Sequence, residues 1–92
     1  MTDHFSCEEI TVRLHQAMSA ARDLSQDDVA NIEELVQVGE LLVAYETLCT
    51  QLYEYDIVLS ASMIEDLRLA GQRLGAASMY AEVLLENVAD ET

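Results

Sequence analysis

The chain has no proline, no tryptophan and no lysine, and its 92 residues include only three glycines and one phenylalanine. Without proline nothing forces a helix to break, and with so few glycines there are few places where the backbone reverses at little cost. Aromatic residues make up 5% of the chain while the hydrophobic share is 51%, so the core has to be packed mainly from aliphatic side chains. That composition favours helices over strands. A chain of this length makes one domain, near the lower end of what a single core holds together.

The missing lysine leaves four arginines against eighteen acids, a formal net charge of −14. Such a field repels nucleic acid and anionic membrane surfaces, because each phosphate contact needs a cation to displace counterions. It attracts basic partners and speeds their encounter. Solubility alone needs only a modest net charge, and self-repulsion at this density works against a small fold. Cysteine is scarce too. Cys7 and Cys49 are too few for a disulfide framework and too far apart for paired zinc ligands, so reduced thiols in a cytoplasm are expected. The opening "MTDHFSCEEI" lacks the basic start and apolar run of a secretion signal. No stretch approaches the ~18 consecutive apolar residues of a membrane span. A cytoplasmic protein is the expectation.

What is present reads as helix throughout. In "SCEEITVRLHQAMSAAR", Ser6 and Glu9 have the spacing of a capping box, and Ile10, Leu14, Ala17, Met18 and Ala21 form one apolar stripe. Glu9 and Arg13 are an i,i+4 pair in the favourable order. A second helix follows Ser25, with Asp27 and Asp28 in its first turn, Val29, Ile32, Leu35 and Val36 inward, and Gly39 as its stop. The third runs from about Glu40 to Tyr55, with Leu41, Ala44, Tyr45, Leu48, Leu52 and Tyr55 toward the core. In "DIVLS", Ile57 and Leu59 are expected to pin an extended connection onto the bundle.

A fourth helix starts at Ser60 or Ser62, and Ser62 with Glu65 has the spacing of another capping box. Ile64, Leu67, Ala70, Gly71 and Leu74 form its inner face, Gly71 permits close approach of a neighbour, and Gly75 ends it. The fifth, "SMYAEVLLENVA", is apolar nearly all round except for Glu82 and Glu86, which predicts deep embedding or a covered partner surface. The expected fold is all-α: a compact single-domain bundle of about five short helices, with no strand.

Catalytic chemistry finds little to work with. His4 and Cys7 sit near the chain end, and His15 lies beside the apolar stripe of the first helix, so no nucleophile has an evident base and orienting group. The acid pairs Glu8/Glu9, Asp27/Asp28, Glu33/Glu34 and Glu65/Asp66 fall in first turns or on outer faces, where water keeps them ionised; a general acid needs an apolar cleft. There is no D-x-D-x-D-G calcium loop and no phosphate-cradling glycine loop. Arg13, Arg22, Arg68 and Arg73 all have local roles, which leaves no basic patch. "RDLSQDD" is not the Asp-Ser-Leu attachment signature of acyl carriers. No enzyme activity, cofactor or metal is expected.

One face remains unclaimed by packing. The outward positions of the third helix are Val43, Glu46, Thr47, Thr50, Tyr53 and Glu54, and on the second helix Glu33 and Glu34 point away from the apolar stripe. A tyrosine ringed by carboxylates suits an interface anchor whose acids meet arginines or lysines opposite. The plainer alternative is a solvated helix face carrying one amphipathic tyrosine.

The pattern Gly39-Glu40, then Ala44, Glu46, Leu48, Cys49, Leu52, then Glu54, Ile57 and Leu59 resembles that of the MafI-like immunity proteins of bacterial polymorphic-toxin systems. The likeness is strongest over residues 38–60 and fades through "IEDLRLAGQRLGA". The chain departs from it in placing Leu42-Val43 where such proteins often have a tight glycine turn, and Tyr45 where leucine is usual. The resemblance implies a small cytoplasmic helical protein that binds one cognate toxin domain, commonly a nuclease, and neutralises it without chemistry. Read with the charge, it makes Glu46, Glu54, Tyr53, Glu34, Glu33 and Asp56 the expected toxin-binding residues, against a basic domain in a 1:1 complex. The rival expectation is an acidic adaptor or a homo-oligomeric domain that dimerises through the fifth helix.

Overall fold

Serine side chains open three of the long helices. In the computed structural model, which describes residues 6–88, Ser6 caps α1 (Cys7–Ala20). Its Oγ accepts from the Glu9 amide at 3.3 Å, and Glu9 Oε1 accepts from the Ser6 amide at 3.2 Å, so the expected capping box closes. Ser25 accepts from the Asp28 amide at 3.1 Å to start α2 (Gln26–Gln37). Ser60 accepts from the Met63 amide at 3.2 Å to start α4 (Ala61–Leu74). Each such cap contributes about 1 kcal/mol by satisfying a donor that the helix cannot. The exception is α3 (Leu41–Glu54), where Glu40 makes no side-chain cap.

The ends of α2, α3 and α4 share one device, which α1, closing at Ala21 with φ −90°, does not use. After α2 the Gly39 amide donates to the Val36 carbonyl and the Glu40 amide to Leu35, with Gly39 at φ +85°. After α4 the amides of Gly75 and Ala76 donate to Gln72 and Gly71, with Gly75 at φ +80°. These paired bonds are the left-handed helix stop, in which glycine avoids a steric cost. The same pair closes α3: Asp56 donates to Tyr53 and Ile57 to Leu52, but the residue held at positive φ (+53°) is an aspartate.

The four long helices bury Ile10, Leu14, Ile32, Leu48, Leu52 and Leu67 in one aliphatic core. Removing each from water is worth roughly 1.5–3 kcal/mol. The connection after α3 is held as expected, with Ile57 and Leu59 buried. Gly71 does admit a neighbour: the ring of Tyr45 lies against it, and that ring meets Tyr80 edge to face, centroids 6.5 Å apart. The Cα radius of gyration is 12.3 Å, matching the roughly 12 Å of a well-packed chain of this length.

Three local expectations are corrected. Tyr55 is not in the core but 50% exposed. The helix ends at Glu54 and the chain turns, so the i+3 spacing from Leu52 no longer maps onto the inner face. Its hydroxyl instead meets Asp28 at the start of α2, and that carboxylate pushes the phenol pKa upward. Ser62 and Glu65 form no box, because Ser60 takes the cap; Glu65 grips Arg68 through two hydrogen bonds of 2.6 and 3.0 Å. The fifth helix is a single turn, α5 (Met79–Glu82), that tightens into a 3-10 segment over Val83–Asn87. Ala81 and Leu84 are buried, whereas Met79 and Leu85 are 59% and 54% exposed, so this segment is not embedded all round. No strand occurs among the described residues; Leu59 and Val88 form an isolated parallel bridge.

Candidate functional site

A repeat of about 3.6 residues per turn puts Val43, Thr50 and Glu54 along the crest of α3 and Leu42, Glu46 and Tyr53 on one flank. The opposite side carries Ala44, Leu48 and Leu52, all buried. Core burial thus turns the acidic stripe outward. Glu54 and Thr50 are exposed, Glu46 is half-buried, and Tyr53 is 46% exposed. Glu46 lies close enough to the buried Cys49 that its charge, together with burial as the larger cause, pushes that thiol up to about 12. No charged side chain among the described residues is fully buried, so these carboxylates lie at the surface.

Asp56 belongs to the same face by a different route. It is not helical; the left-handed stop swings it to the lip of a small cleft at the end of α3, together with Tyr53. The cleft has a volume of about 100 Å³, and Glu86 and Asn87 of the 3-10 segment form its far wall. Sequence reasoning had no signal for Glu86, since its neighbourhood depends on how the last segment folds back.

The two glutamates of α2 do not join this face together. Glu34 is exposed on the outer side of α2. Glu33 borders an open groove with His15, Met18 and Ser19 of α1 and Val29 of α2. It therefore faces the α1 side of the molecule, whereas Glu46, Tyr53 and Glu54 lie along the outer side of α3 and Tyr53 shares the cleft at its exit with Asp56.

The sequence also passed over an apolar area at the other end of α3. Val38 in the α2–α3 turn is 66% exposed, Leu42 and Val43 are partly so, and Val12, Val36 and Leu41 line an adjoining shallow groove of about 560 Å³. The uncapped start of α3 carries three consecutive aliphatic residues, Leu41-Leu42-Val43, and a helix can turn only part of such a run inward.

Among the described residues no three His, Cys, Asp or Glu side chains converge in an arrangement that could hold a metal ion. His15 is exposed, and His4 lies outside the described residues. No described helix is long and apolar enough to cross a membrane. A scan against protein-family models finds no match, and searches of curated proteins and of solved structures find no significant match either.

Proposed function

We propose that this chain is an immunity-type inhibitor that binds a basic toxin domain, of the nuclease kind, and neutralises it by covering its cations with the acidic face of α3. What carries the reading is an exposed aromatic and an aliphatic, Tyr53 and Val43, set among Glu46, Glu54 and Asp56 on a protein of net charge −14. A nuclease must present cations to bind phosphate, and a dense acidic face competes for them. Long-range attraction raises the association rate, which matters for an inhibitor that must reach the toxin before its substrate does. The resemblance over residues 38–60 points the same way.

The test is protection. Basic nuclease-type toxin domains are co-expressed with the chain, the first choice being any such domain found at the end of a large secreted protein encoded by a neighbouring gene, and growth and affinity are measured. Wild type is expected to protect, and Glu46→Lys with Glu54→Lys to abolish protection while leaving the melting temperature within a few degrees. Unchanged affinity in the double variant would remove α3 from the interface.

A second reading, the homo-oligomeric or adaptor domain, is favoured by the exposure of Met79, Leu85 and Val88 on the last segment. A dimer in light scattering that Leu85→Glu dissociates would decide for it.

A further inference from the structure

The cleft at the exit of α3 is too small for a cofactor-sized ligand, which occupies roughly 300–1,000 Å³, and at about 100 Å³ it is the size of one side chain. Its floor is apolar: Leu52, Ile57, Val83 and Leu84. Its rim carries two carboxylates, Asp56 and Glu86, the Tyr53 ring and the Asn87 amide, and none of the lining residues is a cation. An apolar floor under an anionic rim is the complement of a side chain with an aliphatic stem and a cationic head.

We propose that this cleft receives one arginine side chain of the basic protein partner, its stem on the apolar floor and its guanidinium between Asp56 and Glu86 beside Tyr53. The inference rests on the partner reading above and adds to it where the partner anchors. Arginine fits better than lysine for two reasons. Its planar fork serves two carboxylates at once, whereas an ammonium is a point charge. Its flat face also stacks on a tyrosine ring. Glu86 and Asn87 thereby enter the binding surface from a segment distant in sequence.

The backbone at Asp56 belongs to the same arrangement. It occupies the positive-φ position of a helix stop, where glycine bears no steric cost and an L side chain does. The other two stops of this type, at Gly39 and Gly75, use glycine. Asp56 is exposed and stands at the cleft lip, so at this stop the chain presents a carboxylate where a glycine would present none.

The experiment uses the full chain, labelled with ¹⁵N, titrated at low ionic strength with tri-arginine amide, tri-lysine amide and tri-citrulline amide. Saturable shifts are expected for the amides of Tyr53, Asp56, Ile57 and Glu86 and the side-chain amide of Asn87. Affinity should be about threefold lower for tri-lysine, and the neutral citrulline peptide should produce no such shifts. Asp56→Gly should raise the melting temperature by about 2–6 °C while lowering tri-arginine affinity about threefold or more. Glu86→Gln should lower affinity similarly without moving the melting temperature. Equal saturation by tri-lysine would overturn the guanidinium assignment. Shifts confined to Glu46, Thr50 and Glu54 would overturn the cleft and leave the basic-partner reading standing. No saturable shift anywhere would bring down both.

Discussion

Gly71→Ala is the sharpest test of the packing that presents α3. A Cβ built on Gly71 would lie 2.6 Å from Tyr45 Cζ and 2.9 Å from Cε2, and closer still to the hydroxyl oxygen. The obstacle is a rigid ring that is fully buried and packed edge to face on Tyr80, with only a cavity of about 60 Å³ beside it. In an open helix interior the substitution would gain about 1 kcal/mol from helix propensity. Overpacking costs about 1–3 kcal/mol, and the severity of this overlap places it at the upper end. The net loss is therefore about 1–2 kcal/mol, read as a fall of about 4–8 °C in melting temperature per kcal/mol for a domain of this size. Urea unfolding followed by circular dichroism measures it, repeated in a Tyr45→Leu background. With the ring gone the overlap disappears, and Gly71→Ala should become stabilising by up to about 1 kcal/mol. That change of sign is a coupling of about 2–3 kcal/mol between the two sites. Additive effects, or a stabilised single variant, would refute the close approach of α3 and α4.

Further outcomes concern the thiols. Burial raises Cys49 from its model-compound value of 9.0 to about 12, so the folded protein holds a proton that the unfolded chain releases. The corresponding stability is fully present below about pH 9 and is lost between about 9 and 12, at about 1.4 kcal/mol per pH unit. Urea midpoints between pH 8 and 11 should fall accordingly, and Cys49→Ala should flatten the slope by one proton's worth. Tyr45 is raised as well, chiefly by desolvation, and adds a loss of the same sign at higher pH. A thiol reagent under native conditions should modify the exposed Cys7 at once, and Cys49, which is buried, only at the rate of unfolding; two equally fast equivalents would contradict the core described.

Much of the fold was legible because local signals and burial agree. Ser6, Ser25, Gly39 and Gly75 act within a few residues of themselves, so their spacing suffices. Ile57 and Leu59 stood out as apolar residues in a segment with no helical period. The failures came where the period was carried past a turn or where distant segments meet. Tyr55 falls on the inner side of α3 only if the helix continues. The last segment was read as one helix because nothing in "YAEVLLEN" marks the point where α-helical bonds give way to 3-10 bonds. For the site, the outward direction of Glu46, Tyr53 and Glu54 follows from the core pattern of α3 alone. The parting of Glu33 from that face depends on how α2 sits against α1, and the cleft requires residues 52 and 86 to meet.

The bridge between Leu59 and Val88 works as a latch on everything between them. While it holds, α4, α5 and the 3-10 segment form a loop tied at both ends, and the wall bearing Glu86 keeps its distance from Asp56. Were the bridge to open, that wall would lose one of its ties to the bundle. Hydrogen-exchange protection around Leu59 and through Val83–Val88 should therefore rise and fall together, and an occupant of the cleft would slow both without touching either end of the latch.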